Sequence, residues 1–145
     1  MLRTALAVTA IAVGVTVVAA QSDPIAARKA AMKEVGAQTK TGGGMAKGEV
    51  PYDKAKAQAI FASYAEASAK MPTLFPENSK TGGDTAALPA IWANKADFDA
   101  KFAKFGADAK AAQTSVKDLD SFKGAFSGVT KNCGGCHETY RAKKS

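Results

Sequence analysis

Four runs of the chain repeat their apolar side chains every three or four positions, and none alternates with a period of two. That spacing gathers each set on one face of an α-helix. The first run opens at Asp23-Pro24, an N-cap acceptor followed by a proline where a helix tolerates one, and carries Ile25, Arg28, Met32 and Val35. Gly42-Gly43-Gly44 falls within its continuation, and three glycines in place of alanine cost roughly 3 kcal/mol of helix propensity. A bend, a break or close packing is expected there. The second run starts after Pro51-Tyr52 with Asp53 as N-cap, carries Ile60, Phe61, Tyr64 and Ala67, and stops before Pro72. Residues 72–89 read as one long polar connection. A third helix is predicted from near Pro89 to about Ala112, with Ile91, Trp92, Phe98, Phe102 and Phe105 on one face. A fourth, from about Asp118 to Arg141, carries Leu119, Phe122, Phe126, Val129, Cys133, Cys136 and Tyr140. Abundant alanine and lysine, with few β-branched residues beyond the N-terminus, agree with this pattern. The fold class is all-α, an antiparallel four-helix bundle of one domain over residues 21–145.

Residues 1–20 stand outside that domain. Met1-Leu2-Arg3 gives a positive start, Ala5 to Val18 is uncharged, and Val18-Ala19-Ala20 sets small residues before Gln21. This is the pattern of a secretory signal peptide cleaved after Ala20, and the apolar run is too short for a membrane span. Export to the periplasm follows, with no membrane attachment after cleavage. Loss of Arg3 leaves 19 basic and 13 acidic residues, a net charge of +6. A charge of that sign permits nucleic-acid binding, but the lysines are scattered along every helix and the aromatic residues fall on buried faces. No nucleic-acid partner is expected.

Both cysteines and the single histidine fall in one pentapeptide, Cys133-Gly134-Gly135-Cys136-His137. On a helix, positions i, i+3 and i+4 share a face, so two thiols and an imidazole can address one flat ligand. C-x-x-C-H is the pattern of covalent c-type haem attachment, with the thiols as thioethers and His137 as the proximal iron ligand. Three other readings compete. A thioredoxin-type pair sits at a helix start after a strand, whereas this one is late in a final helix. A disulfide across so short a loop restrains little. A zinc site needs a fourth donor, and no other Cys or His exists.

The chain resembles the class II c-type cytochromes of the cytochrome c′ family. The segments that carry the likeness are Arg28-Lys29-Ala30-Ala31-Met32, Lys47-Gly48 with Pro51-Tyr52-Asp53, Lys80-Thr81-Gly82-Gly83-Asp84, Leu88-Pro89-Ala90-Ile91-Trp92, and Cys133 through Arg141. The resemblance implies one covalent haem c per chain, a four-helix bundle and commonly a homodimer through the first two helices. It also implies that Arg28 lies near the haem propionates with Lys29 beside it, and that Met32 covers the distal face of the iron. Thr81 and Gly82 would lie near the haem edge, and Arg141 beside the proximal imidazole. Read alone, Arg28 and Arg141 have solvated helix charges as their alternative, and Thr81 has an ordinary turn.

Met32 divides the functional reading. As an apolar lid it leaves a five-coordinate iron able to bind nitric oxide or carbon monoxide as well as exchange electrons. As a thioether ligand it makes a low-spin electron carrier. Met45 and Met71 read as packing residues. A haem-based gas sensor or scavenger is a further alternative, and a bundle without haem is another. No general acid, base or nucleophile is visible beside the motif, so no enzyme is expected. The redox partner is not legible.

Overall fold

The computed structural model describes residues 23–143, so the leader read at residues 1–20 lies outside the described residues. Helix α1 spans Pro24–Lys47, with the Asp23 side chain accepting from Ile25 N at 2.9 Å. Helix α2 spans Lys54–Lys70 and is capped in the same way by Asp53 through Lys56 N. A single turn, α3, covers Ala90–Ala93, and α4 follows over Lys95–Ser115. Helix α5 spans Leu119–Tyr140 and opens on a reciprocal capping box between Asp118 and Ser121. Three N-caps therefore stand where aspartate precedes each apolar run. Helices α1, α2, α4 and α5 form an antiparallel four-helix bundle, with α2 packed most extensively on α4 and α4 on α5.

The third helix predicted from the sequence is divided. Asn94 leaves the helical region (φ −126°, ψ 48°), separating α3 from α4. The connection after α2 also holds two 3₁₀ turns, Met71–Leu74 and Glu77–Ser79. A left-handed turn through Gly82, Gly83 and Asp84 then reverses the chain, and the next residues run back beside the end of α5. Ala87 pairs with Arg141 in an isolated β-bridge.

Helix α1 runs unbroken through its three glycines, and the reason is close packing. Gly42 is buried, and a Cβ placed on it would lie 2.4 Å from Phe126 Cε2 on α5. Gly43 meets nothing within 4 Å. Adjacent substitutions should therefore differ in sign. Gly42→Ala is expected to destabilise by about 1–2 kcal/mol through overpacking. Gly43→Ala should stabilise by up to about 1 kcal/mol through helix propensity. Urea denaturation midpoints check the pair, and equal shifts would remove the packing explanation.

The core holds two aromatic groups. Phe61 and Phe122 lie 5.8 Å apart near the α1–α2 and α4–α5 links, with Tyr64 and Phe126 against them. Phe98 contacts Phe75, Phe102 and Tyr140 at 4.7, 5.0 and 5.3 Å, toward the other end. Phe105, 5.4 Å from Tyr64, joins one group to the other.

Candidate functional site

The last two turns of α5 bring Cys133, Cys136 and His137 to one wall of a cleft of about 920 Å³. That volume is within the usual range for a cofactor site. The opposite wall is α1 with Met32 and Val35, and α4 closes the side with Phe98 and Phe102. A smaller pocket of about 60 Å³ opens between Met32, Phe105 and the Cys133–His137 face. Met32 thus lines the same space as His137, the position the resemblance implied for it. Met45 is buried in the core, whereas Met71, also buried, lines the large cleft.

Both thiols are free and half-buried, and burial pushes each above its ordinary value. That direction is opposite to the lowering that activates the thiol of a redox pair. Burial, and secondarily the charge of Arg141, lowers the basicity of His137 and favours the neutral imidazole that ligates iron. Among the described residues no three His, Cys, Asp or Glu side chains gather to hold a metal ion.

Arg28 is not a solvated charge. It is 4% exposed, on the buried face of α1, and burial pulls its guanidinium below the ordinary value while Asp23 opposes. It lines the cleft but donates to the chain itself, to Leu74 O, Ser79 Oγ, Ser79 O and Thr85 Oγ1. Lys29 is half-exposed at the cleft rim, 3.5 Å from Asp84 Oδ2. Arg141 ends α5 in extended backbone and lines the same rim. Thr81 and Gly82 are exposed and do not line the cleft. The chain reversal after them makes Asp84, Thr85, Ala86 and Ala87 the part of that loop that lines it. Sequence reasoning missed Ser79 and Thr85 as partners of Arg28, and Lys33 and Lys143 at the rim. No local pattern marks any of them.

The residues present fit a flat, largely apolar, dianionic ring. Two thiols and an imidazole share one face, aliphatic and aromatic side chains form the others, and Lys29, Lys33, Arg141 and Lys143 stand at the rim. A four-helix bundle with that site near its C-terminal end is a c-type haem protein.

Comparison with known proteins narrows the class. Residues 23–141 match the family model described as cytochrome C′, and the chain belongs to the cytochrome c′ family. A cytochrome c′ of Rhodopseudomonas palustris (strain ATCC BAA-98 / CGA009) is 53% identical over 126 residues, covering 87% of this chain and 86% of that protein. A cytochrome c-556 of the same organism is 34% identical over 148 residues, covering 99% of each. The solved structure of cytochrome c′ from Rhodopseudomonas palustris superposes with a TM-score of 0.83 at 53% identity, covering 86% of this chain and all of that one. The cofactor is covalently attached haem c. No helix among the described residues is long and apolar enough to cross a membrane.

Proposed function

We propose that the chain is a periplasmic carrier of single electrons that also binds nitric oxide, at an iron held by His137 and left five-coordinate. Cys133 and Cys136 supply the two thioethers. Haem c, when bound, supplies a one-electron couple and a position for a diatomic ligand. The observation that carries this reading is the composition of the small pocket: Met32, Val35, Phe102 and Phe105 face the Cys133–His137 wall, and Lys101, which also lines it, stands 3.9 Å from Asp97 Oδ2. Asn132, the amide at that pocket, already donates to Asp108 Oδ2 and Val129 O. Dioxygen is retained on iron chiefly where a polar group can hydrogen-bond to it, and nitric oxide needs none. Lys29, Lys33, Arg141 and Lys143 at the rim, with Asp84 as the opposing carboxylate there, suit the haem carboxylates and then an acidic redox partner. A homodimer through the outer faces of α1 and α2 belongs to this reading, since α1 continues unbroken past Gly44.

A second reading makes Met32 the sixth ligand of a low-spin electron carrier. Its supporting observation is that Met32 lines the small pocket together with His137. Absorption and ferric EPR spectra of the exported holoprotein separate the two. The first reading expects a high-spin spectrum that changes with nitric oxide, and Met32→Ala should speed ligand entry while preserving the spin state. A low-spin spectrum whose thioether-to-iron band disappears in Met32→Ala would overturn it in favour of the second.

A further inference from the structure

Arg28 stands one helical turn before Met32 on α1. Its Nη1 donates to Leu74 O at 3.1 Å and Ser79 Oγ at 2.9 Å. Its Nη2 donates to Ser79 O at 2.9 Å and Thr85 Oγ1 at 2.6 Å, and the guanidinium carbon lies 4.6 Å from the Phe75 ring centre. A guanidinium has five N–H groups, and these bonds engage both prongs of its fork. A two-pronged grip on a haem carboxylate would require some of them to break.

The tie continues beyond Thr85. Thr85 Oγ1 also accepts from Ala87 N at 3.2 Å, and Ala87 pairs with Arg141. Ala142 N donates to Ala86 O at 2.8 Å, Leu88 N to Tyr140 O at 3.0 Å, and Arg141 N to His137 O at 3.2 Å. A continuous series of hydrogen bonds thus runs from the Met32 wall, through the connection, to the end of α5 that carries His137.

We propose that Arg28 is a positioning residue: by latching the 74–87 connection to α1, it fixes the Met32 wall relative to the His137 wall and so sets how readily a ligand enters between them. The inference rests on the proposed open sixth position for its ligand readout, but its amide-exchange readout does not depend on that reading. Loosening the latch releases α1 from the connection at the level of Met32. Nitric oxide then enters faster, and the amides bound along the tie open more often.

The test uses the holoprotein with Arg28→Lys, Ser79→Ala and Thr85→Val. Arg28→Lys keeps the charge and removes the fork, while Thr85→Val removes the acceptor with little change of shape. Arg28→Lys and Thr85→Val are each expected to raise hydrogen exchange at Ala87, Leu88 and Ala142 roughly tenfold. Both should accelerate nitric oxide association with the ferrous protein by roughly threefold or more. If Arg28→Lys changes ligand entry while Thr85→Val and Ser79→Ala match wild type, Arg28 acts directly at the haem and the latch is refuted. If exchange rises while ligand entry and spectrum stay fixed, the tie is purely structural and the proposal fails again. If wild type binds no nitric oxide, the open-site reading is what fails; the latch then stands only if Thr85→Val and Arg28→Lys both shift the ferric spectrum. Should Arg28→Lys not fold, Thr85→Val carries the same outcomes alone.

Discussion

Replacing Cys133 and Cys136 together by serine should convert a haem that resists extraction into one removed completely by acidified organic solvent. Each thioether fixes the ring to α5, so in wild type the ring cannot leave while the helix persists. Without them, retention rests on His137, the apolar walls and the rim cations, all of which release reversibly. Thermal stability should change character as well. A dissociable ligand stabilises the fold according to its free concentration, whereas a tethered one does not. The melting temperature of the double variant should rise with added haem, while that of wild type stays constant. Either single variant should keep its haem through the remaining thioether. Haem that survives extraction in the double variant would show that the attachment chemistry lies elsewhere.

The parts of this site that could be read in advance are those written in local spacing. Asp23, Asp53 and Asp118 each precede an apolar run, and each caps a helix. Cys133, Cys136 and His137 share a helical face because their separations are three and four, and the structure sets them on one wall with Met32 opposite. Arg28 occupies a stripe position four residues before Met32, but neither its burial nor its partners could be read from that position. Ser79 and Thr85 are 51 and 57 positions away, and nothing local distinguishes them from other hydroxyls. The break at Asn94 was hidden for a different reason. Ile91, Phe98 and Phe102 keep a helical period across it, because α3 and α4 bury the same side of the chain. Periodicity reports which face is buried, and a kink that preserves the face leaves it unchanged. The loop residues behave likewise. The glycine-rich turn signalled a reversal, but which residues lined the cleft depended on how Ala86 and Leu88 paired with the end of α5.

Phe61→Ala should lower the unfolding free energy by about 3–5 kcal/mol while leaving the haem spectrum of the folded holoprotein unchanged. Phe61 is completely buried on α2, with the rings of Tyr64 and Phe122 at 6.2 and 5.8 Å, and it does not line the cleft. Truncation removes a large apolar side chain from a place where Tyr64 and Phe122 are held by neighbours on other helices and cannot collapse inward. Against the roughly 5–15 kcal/mol that stabilises an ordinary domain, that loss is severe. Combined with the cysteine double variant it should leave a largely unfolded chain, since the apolar cleft walls would then face water without a tethered ring. Phe98→Ala would behave differently. Phe98 packs on Phe75, Phe102 and Tyr140 and lines the cleft, so its loss should disturb stability and spectrum together. Denaturant titration followed by both far-UV circular dichroism and haem absorption separates the two cases. A Phe61→Ala protein whose haem spectrum shifts as much as that of Phe98→Ala would mean that Phe105 transmits core packing into the site. Stability and iron environment could then not be altered independently.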